Sequence, residues 1–155
     1  AYLVVLEKEL AWRSPRAAVP AADNTGPARP DRIAWRTWSR AAVDAARSEG
    51  RPILVDCLTL WLSNLIFAGQ AATQAEAGAA ISCPLFTGET AALIETLPQL
   101  PGQIIMVSNE VGWGIVPMHP VSRLFADEQG RLNQRVATVC ERVTLVAAGL
   151  PLQLK

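Results

Sequence analysis

The sequence predicts an α/β domain built on a mainly parallel sheet. Three observations carry that expectation. Apolar runs of strand length recur at Ile53-Leu54-Val55, Ile104-Ile105-Met106-Val107 and Val143-Thr144-Leu145-Val146-Ala147. Segments with helical spacing separate them, and strands joined through helices imply parallel pairing with right-handed crossovers. After the second run the chain turns abruptly polar and glycine-rich, through Ser108-Asn109-Glu110-Val111-Gly112-Trp113-Gly114-Ile115-Val116-Pro117. In open α/β sheets the carboxyl ends of strands are where ligands bind.

Taken in order, Tyr2 to Leu6 reads as a short strand. From Glu7 to Arg32 the chain is rich in Ala, Arg and Pro, and Pro15, Pro20, Pro27 and Pro30 break every helix there. It holds no period of 2 or 3.6 and is expected to be irregular. Residues 38–48 carry Trp38, Ala42, Ala45 and Ala46 at near-helical spacing, with Gly50 as a stop. The run Ile53 to Val55 is a buried strand ending in Asp56, and Leu58 to Ala68 a largely buried helix. Gln70 to Pro84, rich in Ala and Gly, is expected to be a surface excursion or an irregular helix. Thr87 to Leu97 predicts a helix with Thr87 as N-cap and Leu93, Ile94 and Leu97 on one face. After the strand at 103–108, two helices are expected, Pro120 to Glu128 and Gly130 to Glu141. Strands at 143–147 and 152–154 close the domain.

At 155 residues the chain is most simply one domain, 1–155, with a divergent part over 1–50 and a core over 51–155. Half its residues are hydrophobic and its formal net charge is zero. No global positive charge points to nucleic acid, and no apolar run is long enough to cross a membrane. No secretory signal is visible at the start. Cys57, Cys83 and Cys140 form no CxxC pair, and the one histidine is His119. A zinc site therefore lacks a ligand set, and reduced thiols suit a cytoplasmic protein.

Several polar residues stand where chemistry can happen. Asp56 ends a strand and precedes a helix, so it reads equally as a carboxylate holding magnesium or as a helix N-cap. Asn109 and Glu110 place an amide and a carboxylate at a strand end, to contact a ligand or to fix the turn that Gly112 and Gly114 permit. Arg123 and Asp127 lie four apart, either as an intrahelical ion pair or with Arg123 turned to an anionic ligand. Asn133 and Gln134 can line a site or simply face water. His119, before Pro120, reads as a turn residue.

The segments Leu54 to Leu65, Ser108 to Pro117, Arg123 to Gln134 and Gly149 to Lys155 together closely resemble the bifunctional adenosylcobinamide kinase/adenosylcobinamide-phosphate guanylyltransferase family of cobalamin biosynthesis. The likeness covers roughly residues 51–155, with a weaker echo at Trp35-Arg36-Thr37. It implies a RecA-like P-loop NTPase-type fold and two reactions. A nucleoside triphosphate, GTP or ATP, phosphorylates adenosylcobinamide; GTP then gives GMP to a histidine, which passes it to the cobinamide phosphate. It further implies magnesium with the nucleotide and a homo-oligomer, a trimer in the family. Asp56 matches the acidic residue serving nucleotide and metal. Asn109, Glu110, Gly112, Gly114, Arg123, Asp127 and Asn133 match the walls of the substrate site.

The sequence also departs from that pattern. The family's first strand and its glycine-rich P-loop ending in Gly-Lys-Ser have no counterpart. The only lysines are Lys8 and Lys155, and neither follows a glycine. Pro27 stands near the place of the guanylylated histidine, and Trp38 or Ser39 replaces an expected glutamate. No catalytic residue is therefore assigned, and weak or absent turnover is expected, because developing phosphoryl charge would lose its main stabilisers. A sheet without its central strand is expected to expose pairing edges. Two readings remain: a kinase/guanylyltransferase encoded in truncated or frame-shifted form, or a non-catalytic relative that binds nucleotide or corrinoid as a partner or scaffold.

Overall fold

The computed structural model describes residues 2–8, 53–100 and 102–155. The expectations for the irregular stretch beyond Lys8, for Trp35-Arg36-Thr37 and for the helix at 38–48 lie outside the described residues.

Among the described residues five strands form one sheet: β1 (Tyr2–Lys8), β2 (Ile53–Asp56), β3 (Ile104–Glu110), β4 (Arg142–Ala147) and β5 (Leu150–Gln153), in the order β2-β3-β1-β4-β5. Among the described residues four α-helices accompany them: α1 (Leu58–Ala68), α2 (Ala71–Glu76), α3 (Pro84–Thr96) and α4 (Pro120–Val139). A 3-10 turn over Leu97–Gln99 follows α3. The α/β class is as expected, but the sheet is mixed rather than mainly parallel. Only β2 and β3 pair in parallel; β1 runs antiparallel to both β3 and β4, and β5 returns on β4 as a hairpin. An apolar run signals a strand but carries no information about its direction. The expected gap at the centre of the sheet is absent too, because β1 fills it, with Val4 opposite Ser108 on one side and Leu145 on the other.

Alternation along the strands decides which face is buried. Val4, Leu6, Ile104, Met106, Ser108, Val143 and Leu145 are all buried, and the register places them on one face. Against it pack Leu58, Trp61, Leu62, Leu65 and Ile66 of α1 and Val121, Leu132 and Val136 of α4. Burying side chains of this size stabilises by roughly 1.5–3 kcal/mol each.

Several boundaries differ from expectation. The α3 helix begins at Pro84, with Cys83 at the cap position. Proline suits a first helical position because its missing N–H would have no partner there. Thr87 lies inside the first turn and donates back to the Cys83 and Pro84 carbonyls. The two expected C-terminal helices are a single twenty-residue helix, α4, with Gly130 in its interior. Gly130 does not adopt the left-handed backbone of a helix-ending glycine, and the helix runs through it. Finally β1 extends to Lys8 and β3 to Glu110, because those residues pair across the sheet in register.

Candidate functional site

The end of β2 and the start of α1 are joined by a single residue. Asp56 is the last residue of β2 and is exposed; Cys57 takes the N-cap position with extended backbone and no side-chain cap bond. The N-cap alternative for Asp56 therefore does not hold. Its carboxylate accepts no hydrogen bond from the described residues, which leaves its oxygens available. One turn further on, Thr59 reaches across to β3, where its Oγ1 accepts from the backbone N–H of Asn109 at 2.9 Å and from Asn109 Nδ2 at 3.2 Å.

Asn109 and Glu110 end β3, as the sequence predicts, but as paired strand residues rather than as a loop. Glu110 Oε1 accepts the N–H of Gly112 at 3.1 Å, and a Cβ on Gly112 would stand 3.2 Å from that oxygen. Glycine thus lets the carboxylate fold onto the turn. At Gly114 the nearest atom to an added Cβ is the Val111 carbonyl oxygen at 3.7 Å, an ordinary contact. The loop that follows exposes Trp113, Ile115, Val116 and Met118. Arg123, in the first turn of α4, closes it by donating to the Pro117 and Met118 carbonyls at 3.3 and 3.1 Å. Arg123 and Asp127 do not form the ion pair that their spacing allows; among the described residues the salt bridge of α4 joins Arg131 to Glu128.

Beneath this strand end lies a buried polar cluster. Ser108 is fully buried on the core face of β3, and its hydroxyl donates to Asn133 Oδ1 at 2.6 Å. Gln129, also fully buried, donates through Nε2 to Ser108 Oγ at 2.9 Å and to Asn133 Oδ1 at 3.0 Å. Asn133 Nδ2 in turn donates to the Asn109 carbonyl at 3.1 Å. Gln129 Oε1 has no partner among the described residues.

The fold thus brings Asp56, Asn109, Glu110 and Gly112 to the carboxyl ends of two adjacent parallel strands. Asn133 lies under them rather than beside them. Arg123 holds the far end of the loop, while Asp127 and Gln134 face outward. His119 is the exposed cap residue of α4 and makes no side-chain cap bond. Thr59, Ser108 and Gln129 were not singled out from sequence. For Gln129 a signal existed, since it falls on the stripe Val121, Phe125, Gln129, Leu132, Val136 at spacings of four, four, three and four, which is the core face of α4.

Magnesium usually takes one or two protein carboxylates and completes its shell with phosphate and water oxygens. The available carboxylate of Asp56 fits that demand, and Glu110 spends Oε1 on Gly112 but leaves Oε2. Among the described residues no three His, Cys, Asp or Glu side chains converge into a fuller metal cage. Cys57, Cys83 and Cys140 form no disulfide, and Cys83 has a displaced pKa. Burial pushes its thiol up, but backbone N–H groups of Phe86, Gln70, Ala71 and Leu85 outweigh this and bring it below the ordinary thiol value.

A profile of the family described as cobinamide kinase/cobinamide phosphate guanyltransferase matches residues 28–154. The chain belongs to that family. It is 47% identical over 126 residues to the bifunctional adenosylcobalamin biosynthesis protein CobP of Pseudomonas aeruginosa, a match spanning 78% of this chain and 66% of that protein. It is 34% identical over 128 residues to the bifunctional adenosylcobalamin biosynthesis protein CobU of Salmonella typhimurium, across 70% of its length, and 31% identical over 127 residues to CobU of Escherichia coli. The chain thus spans about two thirds of the length of these relatives. The family match takes in every described element except β1, and with them the whole strand-end cluster from Asp56 to Asn133. Among the described residues no helix is long and apolar enough to cross a membrane.

Proposed function

We propose that this chain is an adenosylcobinamide kinase and adenosylcobinamide-phosphate guanylyltransferase of cobalamin biosynthesis, working on a P-loop NTPase-type fold as a single domain. In this reading the carboxyl ends of β2 and β3 hold a magnesium-bound GTP or ATP. The observation that carries the reading is the position of Asp56: an exposed strand-end carboxylate with no protein partner among the described residues, beside a turn whose backbone is fixed. Asp56 would hold the magnesium ion, which when bound offsets phosphate charge and orients the nucleotide. Asn109, Glu110, Gly112, Gly114, Arg123 and Asp127 would form the walls against the cobinamide substrate. Asn133 supports them through the Asn109 carbonyl. We place the protein in the cytoplasm as a homo-oligomer, with the trimer as the expected form.

One observation favours the second reading, a relative that binds nucleotide or corrinoid without turnover. The sequence contains no Gly-Lys pair, and His119 is held at the start of α4 rather than at the strand ends. Removing a single preorganised donor from a transition state costs about 3 kcal/mol. Within residues 1–155 no such lysine is supplied, and the second reading is the one in which binding exceeds turnover. The two readings separate when the purified chain is incubated with adenosylcobinamide and labelled GTP. Phosphorylated cobinamide, or label covalently retained on the protein, establishes the enzyme. Saturable GTP binding with neither product establishes the binding relative, and absence of binding and product together refutes both.

A further inference from the structure

We propose that Gln129 is a positioning residue for the strand-end site, acting through Ser108 and Asn133 to hold the Asn109 peptide in place. The inference rests on the reading of β2 and β3 as the nucleotide site for its functional part, and on geometry alone for the rest.

Gln129 lies on the core stripe of α4, where an apolar side chain would serve packing better. Its amide spends both N–H bonds within the cluster, one on Ser108 Oγ and one on Asn133 Oδ1. The Ser108 hydroxyl accepts the first and donates its own proton to the same Asn133 oxygen, so the three side chains close a triangle. Closure fixes the Asn133 amide with Oδ1 inward and Nδ2 outward, and Nδ2 then has one target, the Asn109 carbonyl. The other side of the Asn109 residue is held by Thr59 from α1. Asn109 is therefore gripped by its N–H from one helix and by its C=O from another, and Glu110 follows directly in the chain.

Gln129 Oε1, without a partner among the described residues, distinguishes this arrangement from ordinary packing. A buried acceptor without a donor is unfavourable, and an apolar side chain of the same shape would avoid it. The position thus keeps a polar group at a cost to stability, and what it supplies in exchange is the orientation of Asn133. Removing the amide while keeping its volume should therefore loosen the Asn109 peptide without unfolding the domain.

The experiment compares the full chain with Gln129→Met, Ser108→Ala and the double variant, reading amide hydrogen exchange at Asn109, thermal unfolding and magnesium-GTP affinity. In Gln129→Met we expect Asn109 exchange to rise about tenfold relative to Met106 in the same strand, and GTP affinity to fall by a similar factor, while the melting temperature holds or rises. The double variant should be no worse than the worse single one, because the residues act as a unit. If Asn109 and Met106 exchange rise together with a fall in melting temperature, Gln129 is only a packing residue and the proposal is overturned. Unchanged Asn109 exchange overturns it as well. If exchange at Asn109 rises selectively while neither protein binds GTP, the positioning of Asn109 stands and the nucleotide reading fails.

Discussion

Replacing Asn133 with alanine offers a quantitative test of the cluster beneath the strand end. The change removes three hydrogen bonds: from Ser108 Oγ, from Gln129 Nε2 and to the Asn109 carbonyl. At a net value of about 1 kcal/mol each, their loss costs about 3 kcal/mol. It also strands the Ser108 hydroxyl proton and one Gln129 N–H in a fully buried setting, which adds about 1 kcal/mol or more. The expected destabilisation is about 4 kcal/mol. Urea unfolding followed by circular dichroism measures it. With an m-value of about 2 kcal/mol/M, the midpoint should fall by about 2 M at unchanged slope. Gln134→Ala, one residue along and exposed, should shift stability by less than about 0.5 kcal/mol. A midpoint change below about 0.5 M in Asn133→Ala would refute the reasoning, because the cluster would then be no more than a set of coincident distances.

Other expectations follow from particular positions. Gly130→Ala should stabilise by about 0.5–1 kcal/mol, since an added methyl meets nothing and the helix interior gains a better former. Gly69→Ala should instead destabilise by about 1–3 kcal/mol, because its Cβ would lie 2.4 Å from the Cys83 sulfur; thermal melts of the two variants should move in opposite directions. Ala148 and Gly149 both have positive φ in the two-residue turn between β4 and β5, so Ala148→Asn should raise stability by about 1 kcal/mol in chemical unfolding. Cys83 has a lowered pKa when folded, so folding favours its thiolate. Its contribution should grow as pH rises through the folded pKa, be complete above the unfolded value of about 8.5, and vanish below the folded pKa. Stability measured from pH 7 to 9.5 should rise more steeply in the wild type than in Cys83→Ala, and parallel curves would contradict the assignment.

The parts of the fold that were legible in the sequence are those fixed by local pattern. The boundaries of α1 at Leu58 and Ala68 match expectation residue for residue. There an apolar run of helical length is bounded by a polar residue and Gly69. The strands at Ile53, Ile104 and Arg142 were equally readable, since buried strands declare themselves by apolar character. Strand direction was not legible, because Tyr2 to Lys8 reads the same in either orientation and the choice is made by its neighbours across the sheet. Gly130 suggested a helix end, yet its local cost of about 1 kcal/mol is small beside the packing of Val121, Leu132 and Val136 on the sheet.

The candidate site divides in the same way. Asp56, Asn109, Glu110 and Gly112 were visible because polar residues stop an apolar strand abruptly. Asn133 was visible as a polar residue but not as a buried one, since its partners Ser108 and Asn109 lie more than twenty residues away. Thr59 looked like an interruption in an apolar helix, and only tertiary structure gives its hydroxyl two donors from β3. Motif order named the family; sequence alone could not show that one of its polar positions supports the others from within the core.

The most direct test of the account is a calorimetric titration of GTP into the chain with and without magnesium, repeated for Asp56→Ala. Asp56 is exposed and its carboxylate bonds to no described residue, so the variant should fold with wild-type stability to within about 0.5 kcal/mol. The account predicts saturable binding that needs magnesium and is lost, or weakened at least tenfold, in Asp56→Ala. Binding that is indifferent to magnesium and to Asp56, or no binding by the wild-type chain, would contradict the assignment of the β2 and β3 strand ends as the nucleotide site.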